Sequence, residues 1–494
     1  MAHDPPSFTN LRNAVRLSFL ESMERQSRRG GRLIEFPRSE VHYSAILSGI
    51  FGRLEKRVNL PPGPPGLPLL GNIFQMPTEA PWLTYVAWAK KYAHHLLNLP
   101  QAASDLLDRR SAIYSDRPDL IFGGDCEVGY KDTLPLCKYG DTFHLLETPD
   151  LFMDHIRLLV ARIGFEISHG YSVQGRDDPM VLVAEQANRD FAKAMAPGAY
   201  LCDVFPILRH IPDWTGARFK KEAKECRKTM EALRDDPYNA LKERVALGTA
   251  KPSFTTSLIQ REEHPTEAQE MLYKWSSVSV YTTAADTTVS AMGSIFVALS
   301  LYPEVQKKAQ EELDSVVGPD RLPSFDDRPN LPYLNAIVTE IHRWNPVAPL
   351  GVPHRSTQED VYNGYRIPLG SILFANNWGI LHDENIYPAP MEFNPERYLR
   401  EGKEAADGVN PDPRRFAFGY GRRLCPGKEL ADDSIFICAA MTLATFNLTR
   451  PKSSAAEPQY TSSLICHPLP FPCSITPRSG QAENLVLLAV ANGY

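Results

Sequence analysis

The stretch that decides the reading is Phe418-Gly419-Tyr420-Gly421-Arg422-Arg423-Leu424-Cys425-Pro426-Gly427. It fills all five fixed positions of the pattern FxxGxRxCxG. With residue frequencies of about one in twenty, a chance match in this chain is on the order of one in ten thousand. Each position has a chemical use. A cysteine thiolate is a strong nucleophile and a strong metal ligand. Cys425 stands just before the apolar run Leu430–Phe446, which reads as a helix. Backbone N–H groups at a helix start stabilise a thiolate. Gly421 permits a tight loop, and Gly427 lets the backbone approach a flat cofactor. Arg423 offers a planar, permanently charged donor for a carboxylate. The alternative for Cys425 is an inert buried thiol, the usual state of a lone cysteine.

Working outward, Glu340-Ile341-His342-Arg343 fits ExxR, which puts both charges on one helix face. Glu35…Arg38 and Glu231…Arg234 fit it as well, so its weight comes from Asn394-Pro395-Glu396-Arg397-Tyr398 downstream and from its order before the cysteine loop. A plain surface salt bridge is the other reading of Glu340–Arg343. Tyr281-Thr282-Thr283-Ala284-Ala285-Asp286-Thr287-Thr288 lies inside a long apolar helical pattern, where an Asp and paired Thr residues are poor helix formers. Such a local violation often marks function. The rival is an ordinary helix with a threonine bonding back to a carbonyl.

Composition limits the classes. The chain has 494 residues, 53 Lys+Arg and 59 Asp+Glu, a net charge of −6 and so no electrostatic footprint for nucleic acid. Its eight cysteines are scattered without a CxxC pair, which argues against a zinc site or a disulfide framework. Apolar residues recur at helical spacing in Tyr85–Tyr92, Ala102–Ser111, Phe152–His169, Met180–Ala194, Phe219–Arg234, Ala268–Leu301 and Pro303–Val317. Strands are expected at Val361–Ile367, around the turn pair Asn363-Gly364, and at Ser371–Phe374. The fold class is therefore mainly α with a small β lobe. Residues 1–59 read as a basic arm. The proline-rich hinge Leu60–Pro68 then opens one large domain over 60–494. No stretch reads as about 18 consecutive apolar residues, the length of a membrane span.

The loop, the ExxR helix and their order resemble the cytochrome P450 superfamily of haem-thiolate monooxygenases. Leu60–Asn72 (LPPGPPGLPLLGN), Arg110–Pro118 and Tyr302–Tyr333 resemble a fungal branch typified by O-methylsterigmatocystin oxidoreductases. The resemblance implies a triangular helical prism and heme b with Cys425 as axial thiolate. Phe418, Gly421, Arg423 and Gly427 would form the cofactor loop, and His354 would meet a propionate; a solvated loop histidine is the alternative there. Glu340, Arg343 and Arg397 would form a structural ion triad. Thr287 would hydrogen-bond dioxygen, and Asp286 would relay protons through water. Ala348–Val352 and Ser463-Leu464 match stretches that line the substrate pocket.

The implied reaction puts one atom of O2 into a small apolar organic substrate, with electrons from NADPH through a separate flavin reductase, since no G-x-G-x-x-G loop opens a βαβ unit here. The basic residues Arg414, Arg415, Arg422, Arg423 and Lys428 are candidates to receive that reductase. A monomer is expected. The family sits on the endoplasmic reticulum, but no anchor is visible, so the cytosol is the other location. Four departures stand out: the anchor, a β-hairpin between Tyr92 and Ala102, a haem-facing helix between Tyr139 and Pro149, and a glycine replaced by Ala284. They raise a second reading, a vestigial or non-catalytic haem-binding protein from a truncated gene model. A third, an isomerase or peroxygenase, is disfavoured by the Asp286–Thr287 pair.

Overall fold

The computed structural model describes residues 60–65, 72, 75–92, 98–114, 148–195, 200–400, 403–404, 410–451 and 457–491. The arm over 1–59 lies outside them, as does most of the segment between Tyr139 and Pro149 where a helix is expected to be lost. The described residues divide into two units. One contains Leu60, Pro61, Pro65, Asn72 and Asp360–Ile367; the other contains Pro62–Pro64 and the rest.

Helical spacing folds largely as the sequence predicts. The longer helices are α1 (Pro81–Tyr92), α2 (Phe152–His169), α3 (Pro179–Ala194), α4 (Arg218–Ala246), α5 (Phe254–Ile259), α6 (Glu267–Leu301), α7 (Pro303–Val316) and α8 (Pro332–Trp344). After four short strands, β1 (His354–Arg355), β2 (Asp360–Tyr362), β3 (Tyr365–Ile367) and β4 (Ile372–Leu373), come α9 (Lys428–Thr445), β5 (Phe446–Thr449), β6 (Ser474–Pro477) and α10 (Gly480–Ala491). Among the described residues helix dominates and each sheet has two strands, including a further pair at Leu399–Arg400 and Lys403–Glu404.

In the smaller unit, β2 and β3 pair antiparallel across Asn363 (φ 48°) and Gly364 (φ 81°). Two consecutive positive φ values make this the type I′ turn that Asn-Gly favours. In the larger unit, β1 pairs with β4, and β5 pairs with β6 from Phe446↔Pro477 to Thr449↔Ser474.

The core of the larger unit centres on α6. A Thr266–Gln269 capping box starts this helix, and Pro303, at the first position of α7, follows its end. It is long and apolar enough to cross a membrane, but 83% of its apolar window is buried, which marks it as a core helix. A helix buried on nearly all sides must satisfy its own polar side chains. Its hydroxyls do so by bonding back one turn. Ser277 donates to the Tyr273 carbonyl at 2.7 Å, Thr283 to Ser279 at 2.7 Å and Ser294 to Ser290 at 2.9 Å. Along α2, Phe165 stacks on Tyr281 at 4.0 Å and Phe152 on Phe296 at 5.2 Å, joining the two helices. Each such fully buried ring contributes about 1.5–3 kcal/mol by area alone.

Two helices differ from expectation. The helical spacing read from the sequence ends at Arg234, short of Pro237, yet α4 continues to Ala246. Cys226, Met230, Leu233, Pro237 and Leu241 are all buried at three- and four-residue steps, so one apolar face continues through the proline. That burial outweighs the roughly 3 kcal/mol cost of an interior proline. The expected helix Ala102–Ser111 breaks into a turn at Pro100–Ala103, a π-helical segment at Ser104–Arg109 and another turn at Ser111–Tyr114. The wider turn re-aims the chain, and Leu107 and Asp108 meet the cysteine loop from there.

Two sheltered histidines, His169 buried and His382 half-buried, make the fold sensitive to acid. Burial, reinforced by Arg244, pushes His169 down to about 3. Burial, reinforced by Arg343, does the same to His382, which stacks on Trp378 at 4.1 Å. The folded chain keeps both rings neutral, whereas the unfolded chain protonates them near pH 6.5. Their contribution is complete above that pH and is lost as pH falls toward about 3. Denaturation at about pH 7 and about pH 5.5 should show a loss of about 1.2 kcal/mol per ring. A His169→Gln variant should show the shallower slope.

Candidate active site

The cysteine loop is a closed turn. The Cys425 amide donates to the Phe418 carbonyl at 2.8 Å. Gly419 (φ 83°) and Gly421 (φ 56°) both take left-handed backbone. At Gly421 the need for glycine is double. A Cβ there would run into the Leu107 carbonyl oxygen and come within 2.7 Å of the Ser111 Cβ. The Gly421 amide donates to the Asp108 carboxylate at 2.6 Å, and the buried Tyr420 hydroxyl donates to Asn377 at 2.7 Å. Gly427 is the N-cap of α9, with φ −90°, a value that asks for no glycine. Arg422 and Arg423 are exposed.

Burial pushes the free Cys425 thiol up on balance, and the Gly427 N–H and the charge of Lys428 offset part of that. A sulfur that accepts a backbone N–H at the head of an 18-residue helix suits a thiolate ligand. The loop's donor set thus fits a haem iron.

Glu340, Arg343 and Arg397 lie together. Glu340 and Arg343 are 0% exposed, so the surface salt bridge considered above is overturned. Arg343 Nε and Nη2 grip the two Glu340 oxygens at 2.8 and 2.9 Å, and Arg397 Nε donates to Glu340 Oε1 at 3.2 Å. The Asn394 amide (2.9 Å) and the Tyr398 hydroxyl (3.1 Å) also donate to this carboxylate. The remaining guanidinium N–H groups donate to the carbonyls of Leu381, Pro388, Ala389, Pro390 and Glu392.

A second ionic cluster sits on α9. Asp432 meets Arg328 Nη2 at 2.5 Å, His342 Nε2 at 3.2 Å and Arg414 Nη1 at 3.2 Å. Burial would raise this carboxyl, but His342, Arg414 and Arg328 together hold it well below the usual carboxylate range. His342 also packs edge-on against Phe418 at 4.9 Å, tying the cluster to the cysteine loop. Arg414 is committed to Asp412 and Asp432, which removes it from the basic patch read from sequence.

On α6, the Thr287 hydroxyl donates to the Thr283 carbonyl at 2.7 Å. Asp286 Oδ1 meets His467 Nε2 at 3.0 Å. Ala284 is buried. α6 packs against α9, the helix that starts just beyond Cys425. His354 is buried in β1, not solvated, and its Nδ1 donates to the Tyr114 carbonyl.

The chain matches the family model described as Cytochrome P450 over residues 153–474. This chain belongs to the cytochrome P450 family. It is 40% identical to cytochrome P450 monooxygenase claR of Ampulloclitocybe clavipes, covering 91% of this chain and 92% of that protein. It is 39% identical to cytochrome P450 monooxygenase 208 of Postia placenta (88% and 93%), and 35% identical to tryptamine 4-monooxygenase of Psilocybe cyanescens (88% and 97%). The chain is thus a fungal-type oxidoreductase of the monooxygenase class. The alignment to the first relative runs over 504 positions, more than the 494 residues of this chain, so that relative carries positions without a counterpart here.

Sequence reasoning missed several residues of this cytochrome P450. Asp108 and Asn377 brace the loop from segments far away in sequence. Asp432 and Arg328 carry no motif, although an Asp-Asp pair inside an apolar helix was a usable signal. His467 had only its closeness to Ser463-Leu464 to mark it.

Two substitutions test the site. Gly421→Ala combines a left-handed φ with a collision at Leu107, a strain of about 1–3 kcal/mol; lower thermal stability and weaker haem retention are expected. Glu340→Gln leaves two buried guanidiniums without their anion, and breaking a buried pair costs about 3–5 kcal/mol. Denaturant titration should show a lowered midpoint or failure to fold.

Proposed function

We propose that this cytochrome P450 is a heme b monooxygenase acting on a small apolar organic compound of the secondary-metabolite or xenobiotic kind, with electrons from NADPH through a flavin reductase. The observation that carries the proposal is the cysteine loop: a thiol held by a backbone N–H at the start of α9. One relative is named for tryptamine, a small aromatic amine, which supports a small organic substrate. When bound, the haem supplies reductive activation of dioxygen, with one oxygen atom going to the substrate and the other to water.

The residues around it have distinct tasks. Cys425 Sγ would hold the iron, and the Gly427 N–H favours its anionic form. Arg423 would hold one propionate. His354, with Nδ1 committed to Tyr114, would turn Nε2 toward another. Glu340, Arg343 and Arg397 brace the loop's surroundings. Thr287 Oγ1 would hold a proton for the oxygen side, and Asp286 would move protons toward it through water. We assign residues 60–494 to this domain and 1–59 to a preceding basic arm, and we expect a monomer at the endoplasmic-reticulum surface rather than in the cytosol.

A carbon monoxide difference spectrum of the reduced protein should show a thiolate-type Soret band, and Cys425→Ser should abolish it. Absence of the band in the unaltered chain would favour the vestigial reading. Thr287→Ala should keep the band but raise peroxide released per NADPH severalfold; unchanged coupling would remove Thr287 from the proton path.

A further inference from the structure

We propose that His467 is the positioning residue of Asp286: it fixes the carboxylate and reloads it with the proton that Asp286 passes on. This rests on the role given above to Asp286.

The first observation is which partner is anchored. The amide of His467 donates to Thr461 Oγ1 at 2.9 Å, and its carbonyl accepts from the Thr461 amide at 2.8 Å. Cys466, next to it, donates through its amide to the Val347 carbonyl at 2.8 Å and accepts the Ser290 hydroxyl at 2.6 Å. Pro468, on the other side, lies so close to α6 that a Cβ on Gly293 would come within 2.9 Å of its ring. Asp286, Ser290 and Gly293 are spaced i, i+4 and i+7, one face of α6. They meet His467, Cys466 and Pro468 in turn. The imidazole's backbone is therefore held without help from Asp286, and the carboxylate is the partner being positioned.

The second observation is access. His467 and Asp286 side chains are 21% and 23% exposed. The pair is sheltered enough for a defined 3.0 Å contact and open enough for water to reprotonate the ring. Histidine is the side chain whose ordinary titration falls near neutral pH. The nearby titratable groups do not compete. Cys466 is pushed by burial up to about 12, and the Tyr460 hydroxyl is pushed up by burial as well, so both stay neutral. The stretch 283–294 of α6 carries no charged residue besides Asp286, and 345–353 carries none.

The proton step balances without any redox partner. The Nε2–H bond of imidazolium breaks as an O–H bond forms on Asp286 Oδ1, leaving a neutral ring. Asp286 gives that proton to the water beyond it and returns to carboxylate, and solvent returns a proton to the ring.

The test uses the haem-loaded protein and the variants His467→Gln, Asp286→Asn and the double. Gln keeps an N–H donor but does not titrate. Melting temperatures are taken at about pH 6 and about pH 8.5, on either side of the ordinary imidazole range. At the lower pH each single substitution should lower the melting point, and the double should lower it no further than the larger single. That interaction should shrink at the higher pH, because a charged pair is stronger than a neutral one. Fully additive effects would overturn the pairing.

With reductase and NADPH and no substrate, the peroxide share of consumed NADPH should change severalfold between the two pH values in the unaltered protein. It should stay flat in His467→Gln. A wild-type pH profile in His467→Gln, with a flat one in Asp286→Asn, would overturn the role of His467 alone. Wild-type profiles in both variants would overturn the role of Asp286 and this inference with it.

Discussion

A carboxylate with no exposure to solvent must be compensated completely, and Glu340 sets that requirement for the centre of this molecule. Its two oxygens receive two guanidiniums, an amide and a phenol. The arginines then have N–H groups left over, and these go to the carbonyls of five residues between Leu381 and Glu392. That stretch has little regular secondary structure, so its backbone acceptors need partners from elsewhere. The ion triad supplies them. Charge compensation and loop backbone pairing are one arrangement, and neither holds without the other.

α8 carries this constraint toward the cysteine loop. Arg343 faces the irregular segment, while its neighbour His342 faces α9 and reaches Asp432 at 3.2 Å. The same His342 ring packs against Phe418, whose carbonyl closes the turn onto the Cys425 amide. Asp432 gathers Arg328, His342 and Arg414 onto the helix whose start faces the thiol. Two buried ionic clusters on adjacent sides of α8 thus fix the loop's base, and Asp108 and Asn377 fix its tip. Buried charge of this kind adds little net stability, because desolvation offsets attraction.

Much of this was legible in the sequence because it depends on local pattern. Helical spacing placed α2 and α6 almost to the residue, and Asn363-Gly364 announced a turn that only positive φ values allow. The cysteine loop was legible because several unusual residues fall at fixed spacing. Other features depend on partners far apart. Arg414 reads as one more basic surface residue until Asp432 is brought beside it. His467 lies far from Asp286 along the chain, and no periodicity links them. The helical spacing read from the sequence ends short of Pro237; the cost of an interior proline is local, while the burial that outweighs it is spread along the whole face from Cys226 to Leu241.

The threonines and serines of α6 show how one residue choice serves two ends. Read by propensity, they are a flaw in an apolar helix and hence a mark of function. In the fold, hydroxyl after hydroxyl bonds to the carbonyl one turn back, including that of Thr287. That pairing lets small polar groups sit in a buried helix at little cost, and it loosens the ladder by offering carbonyls a second donor. Ser290 departs from this pattern. Its hydroxyl leaves the helix for the Cys466 carbonyl, and by doing so it docks the segment that sets His467 against Asp286. The same residue class that makes the helix self-sufficient therefore also supplies outward holds, since Ser294 accepts from Asn345 at 3.0 Å as well, and the Ser290 hold lies at the level where charge has to be positioned.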